Sequence, residues 1–289
     1  MNAFSFLTQM LRIAIPYLFA ATGGVIAERS GIISLELEGL MLTGAFTATL
    51  GAYYSGSPWT GVLCGILGGL GFGLIHAIAT IRYRADQVVV GIAINLLAVG
   101  VTRFFLKLAF ASSSNSPRIN GFSTSLSARG FDNPLLWMGL LAAPVLAFVL
   151  YRTRFGLRVR AVGEHPDAAE SVGIHVARVR YVAVALSGML AGLGGVYLAL
   201  DQHQFTDQMT SGRGFIAVAA VIFGRWDPLR AALACLLFAA AETLQIQLQG
   251  NHLIASQFIE MIPYLLTIVA LAGVVGRAIP PAALGKTAQ

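Results

Sequence analysis

Charge is the first thing this sequence lacks. Only 11% of its 289 residues are Asp, Glu, Lys or Arg, where a soluble domain carries about 25%, so an ordinary water-facing surface is excluded. Cysteine is nearly absent. Cys64 and Cys235 both lie in apolar runs, which reads them as small buried side chains and excludes a disulfide scaffold. There is no C-x-x-C pair and no H-E-x-x-H, so metal catalysis has no ligand set. His203 lies near Asp201 and Asp207, but without a recognised ligand spacing. Gly285-Lys286-Thr287 imitates the end of a phosphate-binding loop, yet Pro280 stands where that loop needs its first glycine, and ATP binding by this chain is rejected. The first span lacks the basic start and small-residue cleavage site of a signal peptide. Nothing reads as an active site, and neither a cofactor nor a metal is expected in this chain.

Apolar sequence is what the chain has in abundance. Hydrophobic residues make up 56% of it and the mean hydropathy is +0.74. Runs near the ~20 residues that cross a bilayer recur along it. The expected fold class is therefore all-α: a polytopic membrane protein forming one transmembrane domain over 1–289. The spans fall at about 7–26, 32–54, 59–80, 88–110, 135–151, 181–200, 201–224, 229–248 and 258–276. That makes nine, with eight to ten open because broken spans are counted poorly. The net charge of +6 does not point to nucleic acid. Its cations gather at span ends, where they act as topology signals and contacts to membrane lipid. Thirteen of the nineteen Lys and Arg fall on one side of this arrangement, placing the amino terminus outside and the carboxyl terminus inside. Gly61, Gly65, Gly69 and Gly73 share one face of the third span; such a face packs backbones closely, here more readily within the chain than between subunits.

Two stretches break the pattern. Glu36 and Glu38 fall in the second span, where carboxylates are costly and rarely face lipid. Residues 28–38 therefore read as irregular backbone covered by protein, followed by a helix from Gly39. Glu38 either caps that helix or shapes a pathway. The stretch 201–224 reads as extended chain followed by a half-helix over 215–223, too short to cross alone. Gly23-Gly24-Val25 precedes the first break and Gly194-Gly195-Val196 the second; Pro58 and Pro228 follow them. With five spans between the two starts, the halves form two inverted repeats, each with a broken span, and a solute site near the midplane is expected. Asn95, in the fourth span, either packs against a helix or lines the pathway. The polar groups to search for solute contacts are Glu38, Asn95, Gln204, Asp207 and Arg213. A transporter is favoured over a channel. A proton-coupled secondary transporter working through Glu36, Glu38 or Glu242 stays open from these residues alone.

The longest soluble-looking run is 152–180, RTRFGLRVRAVGEHPDAAESVGIHVARVR, with six of the nineteen basic residues. Pro166 sits at a first helical position, Asp167 and Glu170 lie in the first turns, and Gly173 marks the stop. The run is either a docking helix offered to the cytoplasm or a basic connector.

FGLRVRAVGEHPDAAESVGI (155–174) resembles the cytoplasmic coupling loop of ABC-importer permeases of the ribose, nucleoside and branched-chain amino acid group. SLELEGLMLTGA (34–45), ADQVVVGIAINLLAVGVT (85–102) and GRGFIAVAAVIFGRWDP (212–228) are similar to the same family, most like its nucleoside branch. Together the four stretches cover about a third of the chain. The family has Asn where this chain has His165 and Gly where it has Glu36. The resemblance implies a permease subunit in a bacterial cytoplasmic membrane, without ATPase activity of its own. It implies a second homologous permease in a heterodimer, a cytoplasmic ATPase with two nucleotide-binding cassettes that holds the ATP and Mg, and an external solute-binding protein. It assigns ATPase coupling to Gly163, Glu164, His165, Pro166, Asp167, Ala168, Ala169 and Gly173, so that an arginine at Ala169 would clash with the ATPase. Nucleosides are the first solute it suggests, and ribose-like sugars the second.

Overall fold

The computed structural model describes residues 3–122, 133–249 and 279–286. The expected span at 258–276 and part of the loop at 111–134 lie outside the described residues. Within them the chain forms ten α-helices: α1 Ala3–Arg29, α2 Leu37–Ser55, α3 Pro58–Ala77, α4 Gln87–Phe110, α5 Pro134–Arg152, α6 Arg154–Glu164, α7 Pro166–Ser171, α8 Val176–Gln202, α9 Arg213–Phe223 and α10 Pro228–Leu248. Among the described residues there is no strand, only an isolated bridge between Asn115 and Thr206.

Local chemistry sets most of these boundaries. The Asp86 carboxylate accepts from the amides of Val88 and Val89, and Asp227 does the same for Leu229 and Arg230. Asn133 accepts from Leu135, with Pro134 in the first turn of α5. Each cap satisfies amides that the first turn leaves without intrahelical partners. The α2 helix ends at Gly56, whose φ of 70° suits glycine.

Six described helices are long and apolar enough to cross a membrane: α1, α3 with its continuation to Arg82, α4, α5, α8 and α10. Of these, α1 and α8 are the centre of the bundle, 78% and 72% buried along their apolar windows, against 22–33% for the other four. The glycine face of α3 is filled from inside the chain. A Cβ on Gly69 would lie 2.2 Å from the Gly188 carbonyl oxygen of α8, and one on Gly65 would lie 2.8 Å from the Gly44 oxygen of α2. Side chains at these positions would push the three helices apart.

Both breaks are present, with changed limits. The α1 helix continues through Glu28 and Arg29, so the first irregular stretch is only 30–36, and α2 starts at Leu37 rather than Gly39. The second break, 203–212, is a series of turns rather than extended chain, and the short helix after it begins at Arg213. Four positive-φ residues, His203 at the end of α8, Gln208, Ser211, and Gly212 before α9, turn the chain within this break.

Contacts between remote segments define two ends of the bundle. At one, the Arg29 Nε donates to the Trp226 carbonyl at 2.7 Å, Tyr151 donates to Asp227 at 2.7 Å, and the Ala283 amide donates to the Gly163 carbonyl. At the other, Arg12 pairs with Asp201 at 3.0 Å, Asn120 donates to the Gly56 carbonyl, and the Ser116 amide to that of Phe205. From its break α2 runs to the second end and α9 to the first, so the two helices point in opposite directions.

Candidate functional site

Where α2 and α9 begin, their backbones touch. A Cβ on Gly214 would lie 2.4 Å from both the Cα and the amide nitrogen of Glu38, so glycine is required for this approach. Two helix amino termini meeting head to head present a cluster of unpaired amides and two positive dipole ends. The Glu38 carboxylate answers both. Its Oε1 accepts from the Gly212 amide at 2.8 Å and its Oε2 from the Gly214 amide at 2.6 Å. Glu38 thus caps α9, the helix of the other break, and not its own helix as its sequence position suggests. The start of α2 is served from a third element. Asn95 of α4 accepts from the Gly39 amide through Oδ1 at 2.8 Å and donates through Nδ2 to the Leu35 carbonyl at 2.9 Å. The α2 N-cap position, Glu36, makes no side-chain cap.

Beside these caps lies a cavity of about 360 Å³. Glu38 and Asn95 line it, with Ile92, Leu96 and Val99 on the same face of α4, and Gln208, Ser211 and Phe215 from the second break and α9. Its wall is mainly apolar, with a few converging polar groups, the usual build of a small-molecule site. Leu96 is 70% exposed and Phe215 49%, so the cavity opens sideways from the subunit.

Of the five polar residues singled out from sequence, only Glu38 and Asn95 line the cavity. Arg213 points elsewhere: it pairs with Glu242 at 3.2 Å and donates to the Met209 carbonyl, while Tyr17 donates to the other oxygen of Glu242. Asp207 pairs with Arg103 of α4 at 2.8 Å. Gln204 is half-buried behind the turn and is not among the cavity residues. Gln208, Thr210 and Ser211 take their place, and sequence reasoning missed them. Ile92, Leu96 and Val99 were missed as well, although the helical stripe they form around Asn95 is the signal that could have found them. Glu36 lies 3.6 Å from His76 of α3, both fully buried. Among the described residues, no three His, Cys, Asp or Glu come together to hold a metal.

The run at 152–180 contains two helices where one was expected. Thr153 caps α6 by accepting from the Gly156 amide, and α7 starts at Pro166 and stops before Gly173, whose φ is 82°. Ala169 is 4% exposed and packs with Val162 and Val176 in a small core of its own. Gly163 is buried against the Arg29 carbonyl. The Glu164 carboxylate accepts from the Ala282 amide and lies 4.0 Å from Arg29. Gly163 and Ala169 face the chain itself, so the clash expected for an arginine at Ala169 would fall inside the subunit, while Glu164 is exposed beside them. The outward face is formed by His165, Asp167, Ala168, Glu170, Ser171, Val172 and Gly173, with Pro166 half-buried at its edge.

Residues 6–271 match the family model for the permease component of branched-chain amino acid transport systems. The guanosine ABC transporter permease NupQ of Bacillus subtilis is 42% identical over 94% of this chain and 92% of its own length. The nucleoside ABC transporter permease NupC of Lactococcus lactis is 38% identical over 96% of this chain and 94% of its own. Among solved structures, a metal-chelate type ABC transporter in an inward-facing conformation shares the fold. Its TM-score is 0.56 at 14% identity, covering 92% of this chain and 85% of that one.

Proposed function

The chain belongs to the permease-component family of branched-chain amino acid transport systems, and from that membership we propose that this membrane permease subunit of an ABC importer carries nucleosides. The guanosine and nucleoside permeases it is similar to favour this solute class over sugars and amino acids. The cavity at the junction of α2 and α9 carries the reading at the level of geometry. It combines apolar walls for a flat base with Asn95, Gln208 and Ser211 for hydroxyls and ring nitrogens. Because the cavity opens sideways, a second permease completes the pathway, and the pair is a heterodimer. ATP and Mg act on a cytoplasmic ATPase with two cassettes, and an external binding protein delivers the solute and sets most of the selectivity.

Nine crossings are part of the same proposal: the six helices long enough to cross, α2, the second break with α9, and the stretch 258–276. The two segments α1–α2 and α8–α9, each a long helix followed by a break, support inverted repeats. The arginine-rich end with α6 and α7 faces the cytoplasm. Docking falls to the outward face of α7 with the exposed Glu164 beside it, and Gly163 and Ala169 shape that face from behind. Glu38 and Glu242 are bound to partners within the fold, which argues against proton coupling through either.

The test is the reconstituted complex of both permeases, ATPase and binding protein. ATP hydrolysis is expected to rise with nucleosides and to stay at its basal rate with branched-chain amino acids and ribose. Stimulation by ribose or amino acids without nucleosides would overturn the solute assignment.

A further inference from the structure

The coupling run meets the first break through backbone. A Cβ on Gly163 would lie 2.0 Å from the Arg29 carbonyl oxygen. The Gly163 carbonyl accepts from the Ala283 amide at 2.9 Å, and the Gly285 amide donates to the Gly31 carbonyl at 3.2 Å. Residues 281–285, close to the carboxyl terminus, thus lie as a strap across the end of α6 and the first break, with Ala283 only 2% exposed beneath. The two helix ends that flank this break hold α9 at both of its ends. Trp226, just past α9, donates to Glu28 at 2.5 Å, Glu28 accepts from the Ser34 hydroxyl at 2.8 Å, and Glu38 caps the start of α9.

We infer that Gly163 and the strap 281–285 form the joint through which movement of the coupling run reaches both α2 and α9, with Ala283 as a positioning residue that keeps the joint closed. The inference rests on the permease reading above. A glycine pressed on a carbonyl has no rotamer with which to absorb displacement, and close-packed interiors transmit strain instead of damping it. The first break, α9 and the end of α6 therefore shift as one body when the ATPase closes. Without the strap, α6 can lift from Arg29, and hydrolysis proceeds with the half-helices left behind.

The experiment uses the complete complex in liposomes and reads three quantities: ATPase co-purified, ATP hydrolysed, and nucleoside moved per ATP. Ala283→Trp keeps the chain intact but cannot lie flat beneath the strap. It is expected to retain the ATPase and hydrolyse ATP, while nucleoside moved per ATP falls by about fivefold or more, the size of a typical coupling between sites. Ala283→Ser, similar in size, is expected to match wild type. An unchanged transport ratio in Ala283→Trp overturns the joint, as does a loss of transport that only follows loss of bound ATPase. If Ala283→Trp fails to assemble, the smaller Ala283→Leu carries the same test, and failure of both to assemble makes the contact a folding element and overturns the joint. A wild-type complex that moves no nucleoside instead sinks the solute assignment, so the two failures are distinguishable.

Discussion

Glu38 is the residue on which the two breaks depend. An amide left without a partner costs about 1–3 kcal/mol where it is buried, as Gly214 is, and less at the half-buried Gly212. Glu38→Ala frees both the Gly212 and Gly214 amides. It is expected to lower the melting temperature in detergent and abolish uptake, whereas Glu38→Gln keeps one acceptor oxygen and loses about half as much. A Glu38→Ala subunit with the wild-type melting temperature would contradict the cap. Asn95 has two duties, capping α2 and lining the cavity. Asn95→Ala is expected to cost about 1 kcal/mol of stability and to lower the maximal uptake rate. The order of preference among labelled nucleosides should not change if, as proposed, an external binding protein sets it. A reordered preference would place a selectivity site in the permease.

At the level of elements, glycines separate packing from surface. Gly69 presses on α8, while a Cβ on Gly71 of the same helix would meet nothing within 4 Å. Gly69→Ala must move one backbone away from another, at a cost of about 1–3 kcal/mol. Gly71→Ala is expected to be neutral or to stabilise by roughly 0.5–1 kcal/mol through helix propensity. Thermal unfolding of the pair checks this, and equal effects would refute the packing account. In the coupling run, Ala168 is exposed and Ala169 buried, though they are adjacent. Ala168→Arg is expected to leave the subunit folded and in the membrane but to remove the ATPase on purification. Ala169→Arg drives a charge into the Val162–Val176 core and is expected to lower the level of folded subunit. A docked ATPase in Ala168→Arg would move the docking face away from α7.

For the whole molecule, the prediction is sidedness. The end holding Arg29, α6, α7 and Trp226 is expected to face the cytoplasm, and the end holding Gly56, Asn120 and Phe205 to face outward. Single cysteines at Asp167 and at Asn120 test it with a membrane-impermeant maleimide on intact cells. Asn120→Cys should be labelled from outside, and Asp167→Cys only after the membrane is opened. The reverse result would invert the molecule. A central α1–α8 pair with less buried helices around it leaves wide apolar faces on α4 and α5, including Leu96, Phe104, Leu141 and Phe148, suited to lipid and to a second permease.

The sequence by itself determined the class of this protein: scarce charge and repeated apolar runs leave no soluble fold, and carboxylates inside a span must be covered by protein, at the break for Glu36 and Glu38 but within the unbroken α10 for Glu242. It also determined that α7 starts at Pro166 and that the α3 glycines share one face, because these follow from turn chemistry and helical spacing; that α2 and α8 fill this face came from the tertiary structure. Periodicity says which residues share a face, but not which remote segment covers that face. Only the tertiary structure decided that Glu38 caps the helix 174 residues further on, that Asn95 caps α2, and that Arg213 and Asp207 pair away from the cavity. A helix amino terminus needs an acceptor, and any acceptor brought within reach will serve. Which one arrives depends on how α2, α4 and α9 cross in space, information that local sequence does not carry.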